Sequence, residues 1–458
     1  MHSINRLRRS PLVSAVLSTL MLSSAVAHST TWPVTSCNDS GSGTLRAVIN
    51  NASTKSGDTA DLSQLKTTDL GCGASTISLI TGALAVTQDD LYIVGPSSRI
   101  TISGTSDNVT EKDRIFVHSG SGTLALSYLN VNDGDFYSSS GTVFGGCIYS
   151  AGSLYLSHSS VSNCTVDAAP TQSAIGGGVV VRKDLTLRSS AITKNVAGNN
   201  AYDGFAGGAL SYGNVTLISS SIEGNSASGT NGGAIGGLSG TGTLTMSGST
   251  IANNVAETNL GGLSAAGVAT IVDSTISGNI AKLGVIGGLG SSKSLTIRNS
   301  TIAFNTAGKL SAPQAAGFSV YTPNASITIE LQSTVISNNS IGPSGISSDF
   351  SVGSNPDFTA SVIGANNLVF TSTATLPGDT LTETCPLLGS LRDNGGPTLT
   401  HALQSGSPAI GHGNNSLSLP YDQRGAPSVR VSGSSADIGA YEVQQADIVF
   451  NSSFEGCP

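Results

Sequence analysis

The chain has 458 residues, of which 10% are charged and 5% aromatic, with 57 glycines and a formal net charge of −8. Sparse charge with an acidic balance excludes a nucleic-acid binder built on basic patches, because nothing offsets repulsion from phosphate. Abundant glycine leaves no window with a sustained 3.6-residue apolar face, which excludes a helical bundle, and a mean hydropathy of +0.12 with Val, Ile and Leu in register excludes disorder.

Residues 1–27 read as a secretory signal. Arg6, Arg8 and Arg9 precede an apolar run over 12–22, and Ala25-Val26-Ala27 offers small residues to a peptidase. That run is too short and broken to span a bilayer, and no later stretch is longer. The expected mature chain therefore has no transmembrane segment, and its expected address is extracellular or at the cell surface. Removing the three leader arginines takes Lys+Arg from 20 to 17 against 28 Asp+Glu, so the net charge moves from −8 to −11.

Residues 28–75 form the expected N-terminal cap, with a short amphipathic helical turn at Thr44-Leu45-Arg46-Ala47-Val48-Ile49. Residues 76–371 are expected to form the body. Within it one pattern recurs seven times: an apolar-x-apolar pair such as Leu185-Thr186-Leu187, a turn, then Ser-x-Ile-x-x-Asn. The asparagine column reads Cys164, Asn195, Asn225, Asn254, Asn279, Asn305 and Asn338, at steps of 25 to 33 residues, a solenoid period. Paired glycines open several units, as at Gly207-Gly208 and Gly287-Gly288, and read as tight bends where a side chain would clash.

Alternation with β-branched residues marks half-buried strands. Leu156 and Ser159 have opposite parity, so a bend at 157–158, and likewise at 188–189 and 298–299, is needed to bring both columns inside. The expectation is three strands per coil in an all-β, right-handed parallel β-helix, each coil pairing only with its neighbours. The asparagines Asn195, Asn225, Asn254, Asn279, Asn305 and Asn338 read as a structural ladder, each amide stacked on the next and bonded to turn backbone. No catalytic role is expected of them.

Six cysteines in an exported chain imply disulfides. Many pairings are open. The favoured set joins Cys37 to Cys72, Cys147 to Cys164 and Cys385 to Cys457, because each pair closes one local element. No Cys-x-x-Cys occurs and the six histidines are scattered, so no metal and no other cofactor is expected. Residues 372–446 form the expected C-terminal cap, lying against the last coil, and 447–458 a short tail.

The glycine openings with Ile-x-x-Asn later in each unit resemble the repeats of polymorphic outer-membrane proteins. The run Leu388-Gly389-Ser390-Leu391-Arg392-Asp393-Asn394-Gly395-Gly396-Pro397, then Ser407-Pro408-Ala409-Ile410, Asp422-Gln423-Arg424-Gly425 and Asp437-Ile438-Gly439-Ala440-Tyr441-Glu442, resembles the choice-of-anchor module that closes many bacterial exported right-handed β-helix proteins. That resemblance implies a fold and an address, not a reaction.

Polysaccharide enzymes also use this fold, so catalysis is tested on the residues. Hydrolysis needs converging carboxylates, and uronate elimination a calcium site with a basic residue. Between residues 141 and 340 stand only Asp167, Asp184, Asp203, Glu223, Glu257, Asp273 and Glu330, at scattered offsets. Gln88-Asp89-Asp90 and Gly411-His412-Gly413 mimic polygalacturonase motifs, but over 300 residues apart. Asp422, Arg424, Asp437 and Glu442 are the densest charged group and read as an ion-pair network holding the cap. The reading is a non-catalytic, adhesin-like surface or structural module, whose partner is a surface glycan or a host or envelope component. The alternative is a carbohydrate-active enzyme working near Asp89-Asp90 or Asp133 and Asp135.

Overall fold

The computed structural model describes residues 29–445 apart from 67, 70, 74, 105–112, 199–202, 229–236, 310–313, 321–324, 343–344 and 354. The expected leader over 1–27, the tail over 447–458 and Cys457 lie outside the described residues.

The chain is an all-β parallel β-helix of about ten turns. Each regular coil carries four strands where three were expected. One coil runs through Ala209–Ser211, Val215–Ile218, Ser221–Glu223 and Ser226–Ala227. Stacking the coils gives a 10-stranded, a 12-stranded, a second 12-stranded and a 9-stranded sheet, here called the glycine, threonine, isoleucine and alanine faces. The fourth strand escaped sequence reading because two residues cannot show alternation. Its trace is an alanine column, Ala197, Ala227, Ala256, Ala281 and Ala307, all buried.

The bends fall where parity demanded them. His158, Ser189, Ser219, Asp273, Asn299 and Ser333 take left-handed φ between 44° and 49° at the corner between the threonine and isoleucine faces. Past that corner the serine column turns inward. Ser190 Oγ accepts from Ser159 N at 3.1 Å and donates to Arg188 O at 2.8 Å, and the same bonds recur through Ser300. The paired glycines sit where coils meet most closely: a Cβ on Gly288 would lie 2.9 Å from Asn305 Cγ, besides meeting Gly317 O.

At the next corner Asn225 accepts from Asn195 N (3.0 Å) and Asn195 Nδ2 (2.9 Å), while its own amide donates to Ile192 O and to Asn254 Oδ1. Asn195, Asn225, Asn254, Asn279 and Asn305 form one such chain, each wholly buried. Asn338 does not belong to it. The position is taken by Asn339, whose Oδ1 accepts from Asn305 N and Nδ2 at 3.0 and 2.8 Å. Asn338 occupies the left-handed bend just before, at φ 62°, as Asn253 and Phe304 do in their coils. Above the ladder, Cys164 takes the asparagine place and is joined to Cys147. Below it, the Asp349 carboxylate accepts from Asn339 N and Nδ2 at 2.9 Å, which ends the chain of amides.

Inside, one apolar cluster runs unbroken from Val34 to Val369. Burying each Leu or Ile side chain contributes about 1.5–3 kcal/mol, so the columns outweigh any single polar contact. At the N-terminal end the helix Leu45–Ile49 is capped by the Thr44 side chain accepting from Ala47 N, and Arg46 reaches Asp39 at 2.6 Å. Cys37 is bonded to Cys72 there.

The C-terminal module begins on the last coil, where Leu381–Thr382 pairs with Leu368–Val369 and Ala374 and Leu376 pack on the apolar interior, and then runs back along the flank of the solenoid. Thr250 Oγ1 donates to Leu399 O, Thr275 Oγ1 to Gln423 Oε1, Ser277 Oγ bonds His401 Nε2 and Asn299 Nδ2 donates to Asn414 O. These hydroxyls stand on the outer side of the isoleucine face over successive coils. A row of short hydroxyl side chains there gives the module both room and bonding partners. Among the described residues, no helix is long and apolar enough to cross a membrane.

Candidate functional site

The carboxylates of the coils do not converge; most are visibly committed to neighbouring structure. Asp184 accepts from Asn214 N at 2.7 Å, Glu257 pairs with Lys282 at 3.1 Å, Glu330 with Arg298 at 2.6 Å and Asp273 with Arg430 at 3.3 Å. Asp167 accepts from the next backbone amide, and Glu223 is held neutral more easily than usual because burial raises its pKa. Asp203 lies in the short strand Asp203–Phe205.

Asp89 Oδ1 accepts from Ser121 N and Oγ, and Asp90 Oδ1 from Thr123 N, so this pair pins the turn of the following coil. Asp133 accepts from Ser103 Oγ at 3.0 Å, and Asp135 N donates to Asp113 O. His412 bonds Ile410 O, and its own carbonyl accepts from Asn366 Nδ2. The strands beside Asp90 and Asn366, Leu91–Val94 and Ala360–Ala365, are nine sheet steps apart. At about 4.8 Å a step that is roughly 43 Å. The two motifs share no site.

The charged group of the module is a buried network. Arg424 grips Asp422 at 2.8 Å, donates to Glu442 O and stacks on the Tyr441 ring at 3.8 Å. Asp437 accepts from Gly411 N and Val443 N, and Glu442 from Ser432 N and Asp437 N. Arg430 donates to Asp437 O at 2.7 Å and reaches across to Asp273. Burial pushes the carboxyls of Asp273 and Glu442 up to about 7 despite that guanidinium, and raises Asp437 too. Burial also drives His401 down to about 4. A cleft of about 550 Å³ opens beside Asp437 and Glu442, lined by Ser432, Gly433 and Ser434, but these carboxylates already accept backbone N–H groups. Among the described residues no group of three or more His, Cys, Asp or Glu side chains could hold a metal ion.

What the fold does assemble is the outward side of the threonine face. Strand register places Tyr92, Ala125, Tyr155, Thr186, Thr216, Thr245, Thr270, Thr296 and Glu330 in one column. Their neighbours in each strand are inward apolar side chains, so the pleat turns the threonines and tyrosines outward, while the small Ala125 between Tyr92 and Tyr155 is buried. Tyr92 is 44% exposed, and Thr245 and Thr270 are exposed. Threonine χ1 is stiff, so five hydroxyls about 4.8 Å apart lose little entropy on meeting a ligand. The Leu-x-Leu motif carried this column in plain sight as its middle residue.

Among solved structures, that of pectate lyase Pel9A aligns with a TM-score of 0.41 at 14% sequence identity, over 91% of this chain and 97% of that one. No family model matches the sequence, and no curated protein matches it either.

Proposed function

We propose that this is an exported, non-catalytic β-helix protein that binds a glycan of a cell surface or envelope through its threonine face. The register column of five threonines continuing into Tyr155 and Tyr92 carries this reading. Hydroxyl rows both donate to and accept from sugar hydroxyls, and phenol rings stack on sugar faces. The disulfides Cys37–Cys72 and Cys147–Cys164 suit an oxidising, extracellular address. Commitment of the Asp89-Asp90 pair to its turn and the distance to His412 weigh against the polysaccharide-degrading alternative.

A glycan array on the purified chain, run beside reducing-sugar and unsaturated-uronate assays, tests the proposal. The expected result is retention of a subset of glycans without product. Thr216→Arg and Thr245→Arg, both at outward positions, should lower that binding at least tenfold without changing the melting temperature. Release of reducing ends or unsaturated uronate would overturn it in favour of the enzyme.

A further inference from the structure

A second surface lies on the outer side of the glycine face, in its first regular coils. There the short strands Val143–Phe144, Ser173–Ile175 and Asp203–Phe205 pair into a three-stranded ledge beside the face. Register aligns Phe144, Ile175 and Phe205 on the ledge and Tyr149, Val180 and Leu210 on the face. The two columns close on each other as an apolar cluster separate from the solenoid interior.

Arg182 stands at the rim of this cluster, at the corner that follows the strand Val179–Val181. Its guanidinium lies 4.6 Å from the centroid of Phe144, 4.6 Å from that of Tyr212 and 5.8 Å from that of Tyr149. Its Nε donates to the Tyr149 hydroxyl at 3.4 Å. That bond and the neighbouring phenols raise its pKa, so the charge is fixed. Among the described residues no carboxylate pairs with it, in a chain where acids outnumber bases 28 to 20. Lys183 follows and is exposed, and Tyr212 is 40% exposed.

Three rings fix the orientation of one guanidinium, with the Tyr149 and Tyr212 hydroxyls as its partners, and among the described residues no carboxylate occupies its N–H fork. Such a fork matches the planar oxygens of a carboxylate or sulfate. The exposed Tyr212 ring beside it offers a stacking platform for a sugar. We infer that Arg182 and Tyr212 form a subsite for an anionic saccharide, one bearing carboxylate or sulfate. This rests on the glycan-binding reading but uses a different face from the threonine column.

The test compares tetrasaccharides of galactose, sulfated galactose and galacturonic acid by calorimetry on the full chain, at low and physiological salt. At least one acidic ligand should bind tenfold or more tightly than the neutral one, with affinity falling as salt rises. The preference for sulfate or carboxylate names the source of the anion. Arg182→Gln should abolish the acidic preference, Arg182→Lys should keep part of it, and Tyr212→Ala should weaken acidic binding. Melting temperatures of all variants show whether the cluster merely staples the corner. Equal affinity for acidic and neutral ligands, or an acidic preference that survives Arg182→Gln, would sink this subsite while leaving the threonine face standing. No binding of any glycan, on the array or in solution, would remove both.

Discussion

Arg430 of the C-terminal module meets Asp273 of the β-helix at 3.3 Å, with the arginine side chain wholly buried. It also lies 3.7 Å from Glu442 and donates to Asp437 O. One cation thus serves both partners of the interface. Replacing it by methionine leaves Asp273 and Glu442 uncompensated in a dry site, which costs about 3–5 kcal/mol. Denaturant unfolding should show this loss, and a variant as stable as the parent would mean that the network contributes nothing to docking.

The same interface makes stability depend on pH. Asp273 and Glu442 have folded pKa values near 7, above the ordinary carboxyl range of about 4. Between those values the folded state holds more protons than the unfolded one. Their favourable contribution is therefore complete below about pH 4 and is lost as pH rises through about 7. His401, lowered to about 4, acts in the opposite sense as pH falls below about 6.5, but it is one group against two. The melting temperature should be higher at pH 5.5 than at pH 8, and the double variant Asp273→Asn, Glu442→Gln should flatten the profile. A parent that gains stability across that rise would refute the assignment.

The ladder gives a sharper contrast. Asn339→Leu strands the Ile302 carbonyl and the Asn305 amide, a cost of about 1–3 kcal/mol. Asn338→Gly should cost less than Asn339→Leu, because glycine accepts φ 62° and no rung of the ladder is lost, only the local bond from Ser337 Oγ at 2.8 Å among the contacts of that side chain. Asn254→Leu should resemble Asn339→Leu. Chemical denaturation of the three variants decides the matter, and equal losses at 338 and 339 would contradict the register.

Opening the bond between Cys147 and Cys164, 17 residues apart, should cost about 3 kcal/mol by loop-closure entropy. Thermal unfolding of the Cys147→Ser, Cys164→Ser variant measures it. A change under about 1 kcal/mol would show that the first asparagine rungs hold that coil unaided.

Ending the chain at residue 370 removes the strand Leu381–Thr382 and uncovers Thr250, Thr275, Ser277 and Thr301, all now buried beneath the module. Bare strand edges and apolar ends invite association. The truncated chain should aggregate or be cleaved within the coils during limited proteolysis. A monomer melting like the full chain would make the module an independent appendage.

The sequence by itself determined what repeats. Leucine and isoleucine columns, the serine column and the amides from Asn195 to Asn305 all follow from period and parity, because a one-residue slip would turn every apolar side chain to water. It also carried the outward threonines, as the middle residue of each Leu-x-Leu pair. Tertiary structure decided the rest. At the last coil, Ser333, Val335 and Asn338 fit the pattern as well as Thr334, Ile336 and Asn339. Only the pairing of Ile302 with Ile336 selects the second set. The two-residue strands exist because neighbouring coils offer hydrogen bonds, not because alanine favours them. The seat of the C-terminal module and the rings around Arg182 join residues distant in the chain, through contacts that have no period, so no local pattern could announce them.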